Sequence, residues 1–379
     1  MAHATREAAL RPRDRADLIE ILRGHPRPLE PIGGGTKRAV GRPVDADPVD
    51  LSLLSGIVDY VPAELVLTAG AATPLADIEA ELARHNQRLA FEPPDCGVLL
   101  GGSAAAQSLG GVLAANLSGS RRISAGAARD HFLGFEAVSG DGVPFKAGGR
   151  VVKNVTGYDL PKLMAGSWGT LAVLVSVTVR VAPLPETETT VIVPARDASA
   201  AVALLGNALG SPHDVSAAAF VPARGAAVRI EGFGASVDAR VRGLLAHVGS
   251  GDAEMLRDDA SRAFWRATGA AAELADAPCV VKISVPPSDA PRVLDAIRPE
   301  RYLLDWGGGL IWAAFADVDI ERIRGALAGG HAMLWKAPRA LRESVAVFPP
   351  QPPAIARVAA KLKAAFDPAD RLNPGRMSA

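Results

Sequence analysis

The chain has 379 residues, of which 49% are hydrophobic and 22% are charged, so it is long enough for two or three packed domains. Lys plus Arg and Asp plus Glu balance at 41 each, which argues against nucleic acid or an anionic membrane surface as the main partner. The two cysteines, Cys96 and Cys279, argue against a disulfide framework, an iron–sulfur cluster or a cysteine-built zinc site, and they suit a reducing cytosol.

A glycine-rich loop follows a short helix predicted within residues 1–25. The segment Pro31–Lys37 reads PIGGGTK, and three consecutive glycines favour neither a helix nor a strand interior. Their backbone N–H groups can point into one concavity beside Thr36 and Lys37, which suits a diphosphate. A flexible hairpin loop is the alternative, since neither the Walker spacing nor GxGxxG is met.

A strand–loop–helix unit comes next. Asp50–Ser55 and Leu65–Ala69 are predicted strands. Thr73 followed by Pro74 is typical of a helix N-cap and first helical position. The rigid turn Phe91–Asp95 (FEPPD) follows this helix.

The stretch Ser108–Arg122 (SLGGVLAANLSGSRR) is the most informative one in the chain. Gly110 and Gly111 carry no Cβ, so the backbone there can pass close to a bulky group. Short polar side chains, another glycine at position 119 and the cations Arg121 and Arg122 follow. Together they predict a surface for a polyanionic ligand. Two glycine turns beside a buried element are the alternative.

The segment after this stretch is interpreted as structural. Gly140–Gly142 predicts a tight hairpin turn, and Asp159 an ordinary helix start. Ala165–Gly169 is one residue from the GxSxG pattern, but the helix-before, strand-after order is the reverse of a nucleophile elbow. The apolar run Leu171–Val181 is too short and too polar for a membrane span and predicts a buried strand.

Beyond Ala182–Glu186 the pattern becomes strand, helix, two strands and helix, given twice. This predicts an antiparallel sheet covered by helices, as in ferredoxin-like α+β folds. The helix Ile355–Phe366 and the segment Leu372–Arg376 are expected to rejoin the first domain. The predicted domains are therefore 1–185 (subdomains about 1–90 and 91–185), 186–340, and a returning segment 341–379.

Six motifs in order carry a resemblance to a known family: GGGTK, the PPD turn, SLGG, NLSG, GSWGTL at 166–171 and NPGR at 373–376, with Lys153–Leu163 adding to them. The order resembles the vanillyl-alcohol-oxidase type flavoproteins, which have a PCMH-type FAD domain. Within that family it is most similar to the FAD-binding E subunits of bacterial glycolate oxidases. The resemblance implies an α+β fold: a two-subdomain PCMH-type FAD-binding domain and an α+β cap with an antiparallel sheet.

The resemblance also implies roles for individual positions. The GGGTK loop would hold the FAD diphosphate from one side, and the SLGG segment would approach it from the other. The PPD turn and the NLSG motif would lie near the flavin. The turn at 166–171 would shape the strand that passes the adenine, with the Val173 backbone at its edge. The implied FAD-binding residues are Gly33, Gly34, Gly35, Thr36, Lys37, Pro93, Asp95, Leu109, Gly110, Gly111, Asn116, Ser118, Gly119, Gly166, Gly169, Thr170, Leu171, Val173 and Asn373.

Two departures from the family pattern matter. Thr36 stands where relatives often have a flavin-linked histidine, so the FAD is expected to be noncovalent. Trp168 replaces a glutamate of the GSEGTL turn, so a carboxylate role is lost there. The catalytic residues stay unassigned and no metal site is expected, because the seven histidines are scattered. His331, Lys336, Arg339 and the Trp306–Gly309 turn are the weak candidates in the second half.

The function that the resemblance implies is glycolate oxidation to glyoxylate by an FAD subunit working with a second flavin subunit and an iron–sulfur subunit. A stand-alone FAD dehydrogenase for another 2-hydroxy acid, such as D-lactate, is one alternative. A non-catalytic assembly subunit is the other. The expected location is the cytoplasm, at the inner membrane face through partners.

Overall fold

The computed structural model describes residues 10–150, 157–249 and 252–377. The motif positions Lys153–Thr156 lie outside these described residues. Helix α1 (Arg15–Gly24) begins as the sequence predicts, because the Asp14 carboxylate accepts hydrogen bonds from the backbone N–H groups of Ala16 and Asp17.

Within the described residues, the first half of the chain forms one five-stranded sheet and two small two-stranded sheets. Its strands are β1 (Leu29–Ile32), β2 (Asp47–Asp50), β3 (Ile57–Val61), β4 (Val66–Gly70), β5 (Gln87–Arg88), β6 (Phe132–Ser139), β7 (Pro144–Gly148), β8 (Ala172–Arg180) and β9 (Ala182–Pro183). Its further helices are α2 (Leu75–Arg84), α3 (Leu109–Ala114), α4 (Arg122–Ala125), α5 (Ala128–His131) and α6 (Leu160–Met164).

The five-stranded sheet has the order β3-β4-β8-β6-β7, and every neighbouring pair is antiparallel. Its middle strand β8 contains four valines and one threonine, residues that favour extended backbone. Helix α2 packs a stripe of Leu75, Ile78 and Leu82 into the same core as α3. The glycine-rich stretch at 108–122 is therefore held against this sheet by its own apolar residues.

Two local predictions are wrong in this half. Strand β2 ends at Asp50, and residues 51–54 form a turn with Leu51 and Leu54 buried, so no strand runs to Ser55. Thr73 does not cap α2, because its hydroxyl donates to the Gly70 carbonyl at 2.6 Å and Pro74 takes the capping position. Thr73 instead stabilises the turn that follows β4.

The second half forms an eight-stranded antiparallel sheet of order β13-β10-β12-β11-β15-β16-β14-β17 in the described part of the chain. Its strands are β10 (Thr187–Val193), β11 (Ala217–Val221), β12 (Gly225–Gly232), β13 (Glu254–Arg257), β14 (Cys279–Ser284), β15 (Arg301–Asp305), β16 (Leu310–Phe315) and β17 (His331–Lys336). Its helices are α7 (Ala198–Leu209), α8 (Gly234–Val248), α9 (Asp258–Gly269), α10 (Ala290–Ile297), α11 (Ile320–Gly325) and α12 (Arg339–Ser344), and α13 (Pro353–Phe366) follows.

The repeat predicted from the sequence is present in the topology. Strands β10–β13 and strands β14–β17 each follow the order strand, helix, strand, strand, helix, strand, and they join edge to edge through β11 and β15. The sequence prediction omitted β13, the last strand of the first repeat, and the short helix α12. The predicted α+β class with an antiparallel sheet is confirmed.

One face of the eight-stranded sheet packs against the first half of the chain. Helices α7, α8, α10 and α11 cover the other face with their own apolar core. Val280, Trp312 and Trp335 instead belong to the core that contains Leu67 and Val177 of the first sheet. The edge of Trp168, from the turn before β8, contacts Trp335 with ring centroids 6.0 Å apart.

The last described residues return to β1. The Leu29 N–H donates to the Arg371 carbonyl at 2.7 Å, and the Asn373 N–H donates to the Leu29 carbonyl at 3.0 Å. No helix in residues 10–150, 157–249 and 252–377 combines the length and the apolar character needed to cross a membrane.

Candidate functional site

The glycine loop after β1 is pressed against the segment that leads into α3. A Cβ on Gly34 would lie 1.5 Å from the Ala106 carbonyl oxygen, and one on Gly33 would lie 2.3 Å from the Ser108 hydroxyl oxygen. Side chains are therefore excluded at both positions. The run of glycines is needed so that two segments distant in sequence can meet.

Helix α3 begins at Ser108, whose hydroxyl accepts a hydrogen bond from Gly111 N–H at 3.4 Å. The Leu109 and Gly110 amides donate to the carbonyls of Thr73 and Ala71. Leu109 is fully buried, so it supports the site through packing. These two amides hold the helix start in place and are not directed at a ligand.

The two glycine segments line one cleft of about 770 Å³, measured with its open mouth. This is the arrangement on which the sequence interpretation depended. The turn before β8, strand β8 itself and the C-terminal segment complete the walls. Of the predicted residues, the cleft brings together Gly33, Gly34, Gly35, Thr36, Lys37, Gly110, Gly111, Gly169, Val173 and Asn373.

Lys37 supplies positive charge to this cleft. Its ammonium donates to the Thr36 hydroxyl at 3.0 Å and forms no ion pair with a carboxylate of the described residues. Burial lowers the pKa of Lys37 to about 8. A cation in this position would be stabilised by an anionic ligand, because no carboxylate of the described residues lies within ion-pair distance of it and Asp95 acts on it only from farther away.

The C-terminal segment, which the resemblance predicts to return to the flavin through Asn373, lies against the turn before β8. The Asn373 side-chain amide donates to the carbonyls of Trp168 and Gly169 at 3.0 and 3.2 Å. The hydroxyl of Thr170 donates to the Ser167 carbonyl at 2.7 Å. Leu171 is buried and Gly166 has a φ of +86°, so both shape this turn.

Arg376 is a cleft residue that the sequence interpretation left without a role. Its guanidinium donates to the Lys37 carbonyl at 2.8 Å and to the Glu30 carboxylate at 3.3 Å. Its Nε is buried and has no hydrogen-bond partner. The sequence signal for this role was the NPGR motif itself. Arg376 is its arginine, at the end of the segment that was predicted to rejoin the first domain.

The remaining predicted residues lie outside this cleft. Pro93, Asp95 and Gly119 line a second cavity beside α2 and α9. Asn116 and Ser118 accept hydrogen bonds from the backbone N–H groups of Arg129 and Ala128. Their assignment to the flavin stays a prediction.

A cluster of buried charges lies beside the second cavity. We call it the arginine–glutamate cluster: Arg88, Arg121, Arg229, Glu92 and Glu231. Arg229 holds Glu92 with two bonds of 2.8 and 3.0 Å, and Arg121 pairs with Glu231 and Glu92. Burial alone would raise the pKa of both carboxylates, but the arginines lower each to about 2. Arg121 is therefore buried in ion pairs with Glu231 and Glu92, and the prediction that it faces a polyanionic ligand is wrong.

Ser120 and Gly119 connect this stretch to the eight-stranded sheet. The Ser120 hydroxyl donates to the Asp305 carboxylate at 2.7 Å, and the Trp306 indole donates to the Gly119 carbonyl at 3.1 Å. Burial raises the pKa of Asp305 to about 6. The weak candidates nearby are dispersed: Lys336 donates to the Ala275 carbonyl and Arg339 pairs with Glu343.

A family model described as an FAD binding domain matches residues 7–148. Glycolate oxidase subunit GlcE of Escherichia coli K12 is 35% identical over 358 residues, covering 93% of each chain. The chain belongs to the FAD-binding family of glycolate oxidase E subunits.

Other relatives of this E-subunit homologue match shorter stretches. Glycolate oxidase subunit GlcD of Bacillus subtilis is 29% identical over 57% of this chain and 44% of its own length. D-lactate dehydrogenase of Archaeoglobus fulgidus is 36% identical over 34% of this chain and 27% of its own. A solved alkyldihydroxyacetonephosphate synthase covers 96% of this chain and 76% of that chain with a TM-score of 0.67 and 16% identity, which supports the fold alone.

The cleft of this E-subunit homologue fits the diphosphate of FAD. A Cβ on Gly111 would project to 3.7 Å from Lys37 Cε, so the missing side chain leaves a cradle beside the ammonium. Lys37 and Arg376 both line this cleft, and the Arg376 Nε has no hydrogen-bond partner. Space, positive charge and a free donor are what a diphosphate requires.

Proposed function

We propose that this chain is an FAD subunit of a complex that oxidises glycolate to glyoxylate. The observation that carries the proposal is the near full-length similarity to the glycolate oxidase E subunit of E. coli, together with a cleft that fits a diphosphate. The proposal includes a noncovalent cofactor, because Thr36 stands at the position where relatives often have a histidine linked to the flavin. FAD, when bound, supplies the acceptor for the hydride that leaves the hydroxy acid carbon.

The residues of this chain would bind and orient that cofactor. Lys37 would neutralise the diphosphate, while Gly34 and Gly111 would let it approach the backbone. The Val173 backbone would lie at the adenine edge, and Asn373 would return to the flavin from the C-terminal segment. Trp168 would separate the cleft from the eight-stranded sheet. We propose the division into an FAD-binding domain at 1–185, a cap at 186–340 and a returning segment at 341–379 on the same basis.

The partners in this proposal are a second flavin subunit and an iron–sulfur subunit, which would bring the assembly to the inner membrane face. The similarity to both the E and the D subunits of glycolate oxidases supports an assembly of this type. A stand-alone dehydrogenase for a 2-hydroxy acid such as D-lactate is the second candidate. The match to an archaeal D-lactate dehydrogenase favours it.

The test measures flavin and turnover on the purified chain, alone and with its partner subunits. We expect FAD to be released on denaturation, and glycolate-dependent reduction of an artificial acceptor only with the partners. Robust turnover of D-lactate by the isolated chain would favour the second candidate. A chain that contains no flavin and takes up none on incubation with FAD would refute both.

Gly111→Leu places a side chain in the cradle beside Lys37, and we expect it to abolish FAD binding. Gly206→Leu is the matched control, because a Cβ at this helical glycine meets nothing within 4 Å. Complex activity that survives in a flavin-free Gly111→Leu protein would mean that this chain is a non-catalytic assembly subunit.

A further inference from the structure

Lys282 lies in the middle of β14 with its side chain among three tryptophans. It is paired in register with Trp312 on β16 and Met333 on β17. Its ammonium nitrogen is 5.6, 5.3 and 5.0 Å from the ring centroids of Trp306, Trp312 and Trp335. The ammonium forms no hydrogen bond or ion pair with any residue of the described chain.

The surroundings of Lys282 contain further donors without acceptors. Trp312 and Trp335 are 2% and 1% exposed, and the indole N–H of each has no hydrogen-bond partner. A buried donor without a partner costs free energy, so such groups are rare in folded proteins. Cation–π contacts stabilise the Lys282 charge but satisfy none of its three N–H donors.

A second cation borders the same place. The Arg122 guanidinium stacks on the Trp306 ring with its carbon 4.6 Å from the centroid. Asp305 is the nearby carboxylate, but its oxygens already accept from Ser120 and from the Trp306 backbone at 2.7 Å each. The site therefore contains positive charge and N–H donors, while its acceptors are in use.

The position of Lys282 relative to the cleft follows from the aromatic contacts. Trp168 lines the cleft and contacts Trp335, and the ring of Trp335 in turn contacts Trp312 at 5.5 Å. The Trp335 ring, over which the Lys282 ammonium lies, thus connects Lys282 to the Trp168 wall of the cleft. Its face of the sheet is the one that packs on the first half of the chain.

We infer that Lys282, Arg122 and the indole N–H groups of Trp312 and Trp335 form a binding site for the carboxylate of a small acid. A carboxylate offers the acceptor-only oxygens that this group of donors lacks. The indole rings surround the ammonium, which favours an acid with a short side chain. The inference rests on the proposed function, which makes a 2-hydroxy acid or its 2-oxo product the expected ligand.

The experiment uses the full-length protein loaded with FAD and titrates it with oxalate, a two-carbon acid with no hydrogen to transfer. Quenching of tryptophan fluorescence and the flavin absorbance spectrum are the readouts, and neither requires turnover. We expect saturable binding by the wild type and a Kd about 10-fold to 100-fold weaker for Lys282→Met. Lys282→Arg is expected to recover most of the affinity, since it keeps the charge.

Lys336→Met is the matched control, because Lys336 lies on the neighbouring strand and its ammonium donates to the Ala275 carbonyl. It is expected to bind oxalate like the wild type. Arg122→Gln repeats the test if Lys282→Met does not fold, and it is expected to weaken binding less than Lys282→Met would.

Three results would overturn the inference: no saturable oxalate binding by the wild type, equal Kd values for wild type and Lys282→Met, or a loss in Lys282→Met that Lys336→Met shares. A Lys282→Met protein with an altered flavin spectrum and FAD affinity but an unchanged oxalate Kd would show that Lys282 contacts the cofactor instead. The proposed function is tested separately, by FAD binding and by glycolate oxidation in the complex. If both are observed, any of these results would overturn the Lys282 site and leave the proposed function unchanged.

Discussion

Two groups of buried charges in this protein differ in whether they have partners. In the arginine–glutamate cluster every carboxylate is paired with arginine, and Arg229 holds Glu92 with two short bonds. Lys37 and Lys282 are also in low-polarity surroundings, yet neither forms an ion pair with the described residues. Removing one member of a buried pair destabilises the fold, because the other charge is left uncompensated, whereas a buried charge without a partner in the chain is available to a ligand.

Breaking the arginine–glutamate cluster should have the largest effect on stability. Arg229→Met leaves Glu92 without its bidentate partner, and we expect the free energy of unfolding to fall by about 3–5 kcal/mol. Urea unfolding measures this change. Arg224→Met is the control, because Arg224 pairs with Glu254 at the exposed surface at 2.9 Å, and its loss should cost at most about 1 kcal/mol. Equal losses in the two variants would contradict the distinction.

The same cluster predicts acid sensitivity. The pKa of Glu92 is about 2 in the folded protein and near 4.5 when unfolded, so its contribution is complete above about pH 4.5. It is lost as the pH falls towards 2, by about 3 kcal/mol at most. Unfolding free energies measured between pH 2 and 5 should fall steeply for the wild type. A Glu92→Gln protein with the same slope would refute the assignment.

Removing an unpaired charge should act on ligand binding and spare the fold. We expect Lys37→Met to weaken FAD binding by about 10-fold to 100-fold, because a charge-assisted contact to the diphosphate is lost. The apoprotein should unfold at the same urea concentration or a higher one, since an uncompensated ammonium has been removed. Flavin fluorescence titration gives the Kd, with Lys361→Met on the exposed helix α13 as control. An FAD affinity equal to that of the control would exclude Lys37 from the diphosphate site.

The smallest effect is expected at the C-terminal wall of the cleft. Asn373→Ala removes two hydrogen bonds to the Trp168 and Gly169 carbonyls and should lower stability by about 1–2 kcal/mol. Asn373 has a φ of +45°, so Asn373→Gly tests the backbone separately from the side chain. Thermal unfolding in the presence and absence of FAD measures both. An Asn373→Ala protein that matches the wild type would remove this residue from the site.

The sequence was sufficient to predict the class of fold and the meeting of two glycine loops. Glycines at 33, 34 and 110 are consistent with close approach, because a Cβ at any of them would collide with a neighbouring segment. The doubled strand–helix pattern likewise predicted an antiparallel sheet covered by helices. The strand β13 was missed because its four residues, EMLR, are largely exposed and show no apolar alternation.

The sequence did not predict which charges are paired. Arg121 and Arg122 are adjacent, yet one pairs with Glu231 and the other stacks on Trp306. Such outcomes depend on side chains more than 100 positions away, which no local pattern encodes. Lys282 did leave a signal, since it is the single charge in the apolar strand CVVKIS, but its three tryptophan neighbours come together only in the folded sheet.

The return of the C-terminal segment to β1 has a consequence for biosynthesis. Arg371, Asn373 and Arg376 contact Leu29, Glu30 and the Lys37 carbonyl, so one wall of the nucleotide cleft consists of residues translated more than 300 codons after the opposite wall. The cleft cannot be complete before these late residues have been synthesised and have reached β1. Capture of a nucleotide by both walls therefore has to follow synthesis of the C-terminal wall.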